Sequence, residues 1–287
     1  MQDSSRKGYI IQYSKLSVGD AKTIRIGRIS FSHSDSAFYY FEKNKFEDVK
    51  IISATPKELM LKVISGELDI APVASTSLIT HERELKMVPA LSVHSVGPSL
   101  SSIVVSDGET SIQNGDTIAV TNQTETSIMM LKIILERKGI NVDFVTNIGA
   151  DAKDLLSEAP FALTIGDDAL MSKINGYRTI YDIGEEWWNL THTPAVFAVT
   201  VANSSIAQKE PERIKKAVEM LSKAVKYREE SLDEIAHHTS TRLNLPIELL
   251  LKYFKMIKLD FNNNVEKGLK RFLCEIKKMN LLEVKNS

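Results

Sequence analysis

Four short polar segments carry the side chains of this sequence that could bind or transform a small anion. Each follows an apolar, strand-like run and leads into a predicted helix or crossover. Hydroxyl-rich segments that enter a helix offer free backbone N–H groups and the positive end of the helix dipole, which suit a carboxylate. The segments are residues 31–35, 74–76, 97–102 and 122–127. The binding candidates are Ser32 and Ser34 in the first segment, Ser75 in the second, Gly97 in the third, and Thr124, Thr126 and Ser127 in the fourth.

His33 and Ser101 are the candidates for catalysis. His33 is the one side chain of the first segment that can exchange a proton near neutral pH, because an unperturbed imidazole has a pKa of about 6.5. We expect it to contact the substrate, either through a hydrogen bond alone or as a general acid on a leaving hydroxyl. Ser101 stands at the first crossover and is expected to add a hydroxyl. The alternative for His33 is an ordinary loop histidine that faces solvent.

Each binding candidate also has a structural interpretation. Ser75 suits the N-terminal cap of the helix that follows, and Gly97 suits an ordinary hinge turn. Asn122 and Glu125 have the spacing of a capping box, which would make the fourth segment structural, although both roles can coexist. Asp167, after the apolar run FALTIG, is a further binding candidate that a helix cap explains equally well.

Several kinds of chemistry have no support in the sequence. The chain has a single cysteine, Cys274, and no H-E-x-x-H motif. Its one close histidine pair, His237 and His238, would point about 100° apart on a helix and would chelate a metal poorly. The glycine-rich nucleotide motifs and the G-x-S-x-G nucleophile motif do not occur. We therefore expect no metal, no nucleotide cofactor and no nucleophilic serine.

Charge and hydropathy narrow the range of partners. A formal net charge of −1 argues against a dedicated nucleic-acid binder. The longest apolar stretch, Ala195–Ala202, is broken by Thr200 and is far too short to span a bilayer. The first twenty residues lack the apolar block of a signal peptide, and one cysteine requires no oxidising compartment. We expect a cytoplasmic protein that acts on a small-molecule substrate and has no nucleic-acid or membrane partner. Whether it forms a homodimer stays open.

The order of the predicted elements indicates two α/β lobes. Strands at 23–30, 49–54 and 68–73 alternate with helices at 37–44 and from a Thr55–Glu58 capping box to Gly66. A second α/β run after 101–106 has strands at 116–121, 142–147, 161–166, 179–184 and 195–202, and helices at 124–138 and 151–159. Beyond residue 203 the apolar period is 3.6, which predicts helices whose simplest packing partner is lobe one.

This order predicts an α/β, two-lobed type II periplasmic-binding-protein fold. We expect a polar leader at 1–22, lobe one at 23–100 plus 202–287, and lobe two at 101–201, joined by two crossing strands. Ligands of open α/β sheets bind outside the carboxyl ends of the strands, so the polar segments should meet in a cleft between the lobes. The fold predicts where a ligand binds, but it does not distinguish a receptor, a sensor and an enzyme.

Six blocks of the sequence carry a family resemblance. They are IRIGRIS (24–30), SGELDIAPV (65–73), GPSLSSIVVS (97–106), TETSIMMLKIIL (124–135), TIGDDAL (164–170) and YDIGEEWWNLTHTPAVFAV (181–199), and the LLLKYFKMIKLDF and GLKRFL segments fit as well. In this order they resemble the chorismate dehydratase family of the futalosine route to menaquinone. The resemblance covers about residues 24–280, and the last two blocks are specific in combination.

The resemblance implies a cytoplasmic enzyme with this fold that works without metal or organic cofactor. Its reaction would remove water from chorismate to give 3-(1-carboxyvinyloxy)benzoate. Chorismate is a dianion, so its two carboxylates need donors of the kind that hydroxyl-rich helix N-termini supply. Because the loss of water makes the ring aromatic, good positioning and modest electrostatic help are expected to be enough.

The chain departs from the family pattern in the first polar segment. Where the family has a motif close to Y-L-N-T-x-P, the chain reads FSHSDS, so His33 stands at the position of the family's functional asparagine. Ser77 replaces a common glutamate, and Glu125 occupies a position where a small or basic residue is common. Two alternatives stay open. One is the sister enzyme 1,4-dihydroxy-6-naphthoate synthase, which the run from Ser34 to Phe38 faintly resembles, and the other is a non-catalytic binding protein for a small carboxylate.

Overall fold

The computed structural model describes residues 23–147 and 151–280, which form two β-sheets with helices packed on them. The predicted leader, 1–22, lies outside the described residues. The strands are β1 (Ile24–Ile29), β2 (Val49–Ala54), β3 (Ile70–Ala74), β4 (Leu85–Ser95), β5 (Ser102–Ser106), β6 (Thr117–Thr121), β7 (Asp143–Asn147), β8 (Phe161–Ile165), β9 (Arg178–Asp182), β10 (Ala195–Asn203) and β11 (Ile257–Lys258). The helices are α1 (Ser32–Asn44), α2 (Pro56–Ile64), α3 (Ser77–Thr80), α4 (Glu125–Lys138), α5 (Ala152–Glu158), α6 (Gly166–Ile174), α7 (Ile183–Thr191), α8 (Ser204–Lys209), α9 (Pro211–Glu230), α10 (Leu232–Leu243), α11 (Ile247–Met256) and α12 (Asn263–Lys278).

Lobe one is built on a six-stranded sheet in the order β11-β4-β10-β3-β1-β2. β1 pairs in parallel with β2 and β3, whereas β10 is antiparallel to both of its neighbours. The whole of β10 therefore lies in this sheet, although the sequence analysis assigned its residues 195–201 to lobe two. The run AVFAVTVA is almost entirely buried, as expected for a strand in the middle of a sheet that is covered on both faces.

Lobe two is built on a five-stranded sheet in the order β7-β6-β8-β5-β9. β6 is parallel to β7 and β8, and β5 is antiparallel to β8 and β9. The chain passes between the two sheets twice, once from β4 to β5 and once from α7 to β10. Two α/β lobes with two crossings are the arrangement that the order of elements predicts.

Local signals in the sequence fix several helix ends. Thr55 and Glu58 form the predicted capping box, with Pro56 in the first turn of α2. Gly139 ends α4 in the left-handed region at φ +70°, where a residue without Cβ meets no steric penalty. These two ends confirm the sequence analysis, because each depends on contacts within one helical turn.

Three elements differ from the predictions. α1 begins at Ser32 and not at residue 37, so the first polar segment is a helical turn and not a loop. β4 was not predicted. The second half of the predicted strand 179–184 (TIYDIG) instead begins α7, because the Asp182 carboxylate accepts the N–H groups of Gly184 and Glu185 and caps the helix. Trp187 lies on the same helix, and its ring is fully buried.

The C-terminal helices pack on both lobes. Ile214, Leu221 and Val225 of α9 are buried in the core of lobe one, as the 3.6 period predicts. On α12, however, Phe272 packs edge-on against Trp187 of lobe two, with the ring centroids 5.7 Å apart. The expectation that these helices use lobe one alone is therefore wrong for α12, which spans the two lobes. No helix in the described ranges, the 20-residue α9 included, is long and apolar enough to cross a bilayer.

Candidate functional site

A cleft lies between the two sheets, at the carboxyl ends of β1, β3, β6 and β8. Its enclosed cavity measures about 80 Å³, below the roughly 300–1,000 Å³ that is typical of small-molecule sites. Five residues proposed from the sequence line its walls, namely His33, Ser101, Thr124, Thr126 and Ser127. The structure therefore brings together candidates from both lobes that are almost a hundred positions apart in the chain.

Three of the helices that begin at this cleft have no side-chain cap from their own N-cap residue. The N-cap residues of α1, α4 and α6 are Phe31, Thr124 and Ile165, and none accepts a hydrogen bond from its own first turn. All three residues line the cleft. The capping box expected from Asn122 and Glu125 does not form. Because uncapped helix N-termini present free N–H groups and a positive dipole end, this arrangement suits a small anion with more than one negative group.

Several buried polar atoms at the cleft have no hydrogen-bond partner within the described part of the chain. They are Nε2 of His33 and the hydroxyl oxygens of Ser102, Thr124 and Thr126. Each of these residues is at most 6% exposed. An unpaired buried polar group costs about 1–3 kcal/mol, so a ligand that supplies hydrogen-bond partners would recover that free energy. The concentration of such atoms here marks the cleft as a binding site.

His33 is the second residue of α1, and its ring is buried between two arginines and the cleft. Burial lowers its pKa to about 3, and the charges of Arg228 and Arg28 act in the same direction. The imidazole is therefore neutral from pH 5 to pH 8. This corrects the expectation of an ordinary pKa and removes the imidazolium that general acid catalysis would need. A neutral imidazole at a helix N-terminus still donates or accepts a hydrogen bond.

Buried charges hold the first turn of α1 in place. The Asp35 carboxylate pairs with Arg28 of β1 and with Arg242 of α10. Arg228 of α9 donates from Nε to Oγ of Ser36 at 2.8 Å, and that hydroxyl donates to the His33 carbonyl at 2.6 Å. The side chains around His33 therefore hold the first turn of α1 in place, and Asp35 has this structural role.

Four of the other binding candidates have structural roles or lie outside the cleft wall. Ser75 donates from Oγ to the Val196 carbonyl at 2.7 Å, which ties β3 to β10 and is not the predicted helix cap. Gly97 lies in the crossover at φ +81°, and its carbonyl accepts the Ser95 hydroxyl at 3.0 Å. Ser32 and Ser34 are buried, but their side chains are not among the described residues that line the cleft.

Asp167 joins the two lobes at the edge of the cleft. Its Oδ1 accepts the backbone N–H of Ser32 at 3.0 Å, so a side chain of α6 caps α1 from the opposite lobe. Burial raises the pKa of this carboxyl group, and the hydrogen bond from Ser32 opposes the shift. Beside this contact the ring of Phe31 packs on Gly166. Asp167 therefore closes the cleft in this structure and does not form part of its wall.

A second contact closes the cleft on the other side. The Thr76 hydroxyl of lobe one donates to Oε2 of Glu125 in lobe two at 3.2 Å. Among the described residues that line the cleft, Glu125 carries the one carboxylate, and this bond directs it toward the opposite lobe. No lysine or arginine is among the described residues that line the cleft, so the donors available to an anion are neutral.

Asp182, which the sequence analysis did not select, organises the crossover before Ser101. Its carboxylate accepts the N–H groups of Ser99 at 2.9 Å, Leu100 at 2.8 Å and Gly184 at 3.0 Å. Leu100 is held in the left-handed region at φ +62°. The crossover is thereby fixed to the start of α7. An Asp that begins a helix is a recognisable cap signal, but its partners at 99 and 100 are too distant in sequence to predict.

Tyr253 is a second residue that the sequence did not reveal. It lies on α11 with its ring fully buried, and its hydroxyl is 3.4 Å from Nδ1 of His33. In the sequence it reads as one more member of the apolar LLLKYF stripe. Within 23–147 and 151–280, no three His, Cys, Asp or Glu side chains are placed to hold a metal ion.

Comparisons with known proteins place this geometry in context. Residues 24–278 match the model of a family described as menaquinone biosynthesis. A chorismate dehydratase of Thermus thermophilus is 25% identical over 244 residues, which cover 79% of this chain and 87% of that protein. The matched region contains both lobes and every residue of the cleft wall.

Solved structures with low sequence identity share the fold. Protein AF1704 from Archaeoglobus fulgidus has a TM-score of 0.76 at 16% identity, over 92% of this chain and 100% of that chain. The periplasmic aliphatic sulphonate binding protein SsuA from Escherichia coli has a TM-score of 0.67 at 12% identity, over 92% and 89% of the two chains. These likenesses confirm the predicted periplasmic-binding-protein-like fold.

Proposed function

Since the chain belongs to the menaquinone biosynthesis family, we propose that it is a carbon–oxygen lyase that dehydrates chorismate to 3-(1-carboxyvinyloxy)benzoate. The name of the Thermus thermophilus relative supports this substrate and reaction. The observation in the molecule that carries the proposal is the set of neutral donors at the cleft, namely three helix N-termini whose own N-cap residues provide no side-chain cap, and several unpaired hydroxyls. Such donors suit a cyclic dianion that carries two carboxylates and one hydroxyl.

The start of α4 is the proposed site for one substrate carboxylate. Thr124 and Thr126 present unpaired hydroxyls there, and Ser127 lines the same wall. The N–H groups of the first turn add donors along the helix dipole. The second carboxylate then lies toward the starts of α1 and α6, whose N-cap residues Phe31 and Ile165 provide no side-chain cap.

His33 and Ser101 are the proposed contacts of the reacting ring. In the reaction a proton leaves one ring carbon and the hydroxyl leaves the neighbouring carbon with its electron pair, so water departs and the ring becomes aromatic. A neutral His33 suits a hydrogen bond to the leaving hydroxyl or to a carboxylate, and does not suit proton donation as imidazolium. The protein then contributes orientation and a preorganised set of dipoles.

Incubation of the purified protein with chorismate tests the proposal. We expect a product lighter than chorismate by one water, identified by mass and by its aromatic absorbance, at an unchanged rate in the presence of a chelator. The cleft variant Ser101→Ala should lose activity, whereas the matched control Ser157→Ala, on the exposed face of α5, should keep it. Tight binding of chorismate without turnover would support the binding-protein alternative, and no binding at all would overturn the substrate assignment.

The synthase alternative has no support in the geometry. It depended on the run from Ser34 to Phe38, and in the structure Asp35 pairs with Arg28 and Arg242 while Phe38 lies in the core of lobe one. The run therefore serves to anchor α1. The same assay separates the two enzymes, because only the dehydratase consumes chorismate.

A further inference from the structure

The Tyr253 hydroxyl lies between the two candidate catalytic residues. It is 3.4 Å from Nδ1 of His33, and its second hydrogen-bond partner is the Ser101 side chain. The three residues come from the start of α1, from the crossover and from α11, so only the folded protein assembles them. Both the His33 ring and the Tyr253 ring are buried.

The hydrogen-bonding capacities of these groups restrict how their protons can be arranged. Burial raises the pKa of the Tyr253 hydroxyl, which therefore keeps its proton. The burial that lowers the pKa of His33 leaves that ring with a single N–H. If Ser101 donates to the tyrosine oxygen, the tyrosine proton is directed to Nδ1 of His33. The imidazole proton then resides on Nε2.

The environment of Nε2 favours the same arrangement. This atom is buried, has no partner within the described residues, and belongs to a side chain on the cleft wall. It lies at the N-terminus of α1, the end of a helix that attracts anions. An N–H at Nε2 would complement an anionic substrate, whereas a lone pair there would repel it.

We propose that Tyr253 is a positioning residue, which donates its hydroxyl proton to Nδ1 of His33 and so holds the imidazole in the tautomer with its N–H at Nε2, available to the ligand. Its contribution to turnover rests on the proposed function, whereas its control of the tautomer does not. Ser101 thereby acts twice, at the cleft wall and as the donor that orients Tyr253.

Nitrogen NMR of the protein labelled with ¹⁵N-histidine tests the tautomer directly. We expect His33, assigned by the loss of its signals in His33→Asn, to show a protonated Nε2 and an unprotonated Nδ1 at pH 7. In Tyr253→Phe, which keeps the buried ring, we expect a mixture of tautomers. A parent spectrum with the proton on Nδ1 would overturn the proposal, whether or not the variant folds.

Kinetics supply the second readout. We expect Tyr253→Phe to lower kcat on chorismate by about ten-fold, the effect of one lost hydrogen bond, while KM changes little. In a His33→Ala background the same substitution should have no further effect, since Tyr253 acts through His33. Tyr227→Phe is the matched control, because it removes a hydroxyl from a surface cluster with Lys43 and Glu234. Equal losses with and without His33 would contradict the proposal.

A parent protein that does not turn over chorismate would contradict the proposed function and leave the NMR result to decide the role of Tyr253. Conversely, an active parent whose His33 tautomer is unchanged in Tyr253→Phe would retain the function and overturn this inference. The two failures are therefore distinguishable.

Discussion

A single buried histidine determines how the cleft can act on a proton. His33 lies in the first turn of α1, where the helix dipole and the charges of Arg28 and Arg228 all disfavour a further positive charge. The residue type suggested acid catalysis near neutral pH, whereas its burial makes it a neutral hydrogen-bonding group. Sequence could indicate the residue but not its protonation, because its burial and the approach of Arg228 depend on elements that are distant in the chain.

Substitution of His33 separates orientation from acid catalysis. Because the ring is neutral, we expect His33→Asn to keep kcat/KM for chorismate within a few-fold of the parent, and His33→Ala to lose about ten- to a hundred-fold. Between pH 5 and pH 8 the parent should show no limb that disappears in His33→Asn. A limb near pH 6.5 that both variants abolish would contradict the neutral assignment.

The same burial predicts an acid-dependent loss of stability. The pKa of His33 is about 6.5 in the unfolded chain and about 3 in the folded protein, so the unfolded state takes up a proton first as the pH falls. The free energy of unfolding should therefore decrease by up to about 1.4 kcal/mol per pH unit from pH 6.5 toward pH 3. Urea unfolding of His33→Asn should give a flatter curve over this range than the parent. Parallel curves would show that His33 is accessible to protons.

At the scale of elements, the sequence predicts those helix ends that are fixed by residues within one helical turn. The capping box of α2 and the Gly139 end of α4 depend on residues within one turn, and the sequence predicts both. The start of α1 does not follow this rule, because its N-cap is Phe31 and its cap is supplied by Asp167 from lobe two. The helices that lack a local cap at the cleft are those whose first turns remain available to a ligand.

The first turn of α4 is expected to carry the main part of the binding energy for one carboxylate. We expect Thr126→Ala combined with Ser127→Ala to weaken chorismate binding by at least about a hundred-fold, since each lost hydrogen bond to a charged group costs roughly 1.5–3 kcal/mol, or about ten- to a hundred-fold in affinity. Isothermal titration measures the change. Ser157→Ala, an exposed position on α5, should bind as the parent does. Unchanged affinity in the double variant would place the carboxylate elsewhere.

At the scale of the whole molecule, the cleft is held closed by contacts that belong to neither lobe alone. Ser32 meets Asp167 on one side, Thr76 meets Glu125 on the other, and α12 spans both lobes behind them. The sequence predicted two lobes and a cleft from the order of elements, and it selected five residues of the wall. It could not predict Tyr253, Asp182 or the role of Asp167, since their partners lie on other elements and only the packing of the lobes brings them together.

Neutralising Asp167 should stabilise the closed molecule. Burial raises the pKa of this carboxyl group, so the ionised form costs free energy in the folded state at neutral pH. An amide keeps an oxygen for the Ser32 N–H without that cost. We expect the Tm of Asp167→Asn to exceed that of the parent at pH 7, and the difference to vanish as the pH falls below the ordinary pKa of aspartate. An equal or lower Tm at pH 7 would show that the charge strengthens the cap.

The place of β10 in the larger sheet also has a consequence for the order of folding during synthesis. β10 separates β3 from β4, yet it ends only at residue 203, whereas all five strands of the other sheet are complete by residue 182. As the chain leaves the ribosome, lobe two can assemble while β3 and β4 still lack the neighbour they share. Lobe one, although it contains the beginning of the chain, is then the last to be finished, and its unpaired strand edges are exposed until β10 arrives.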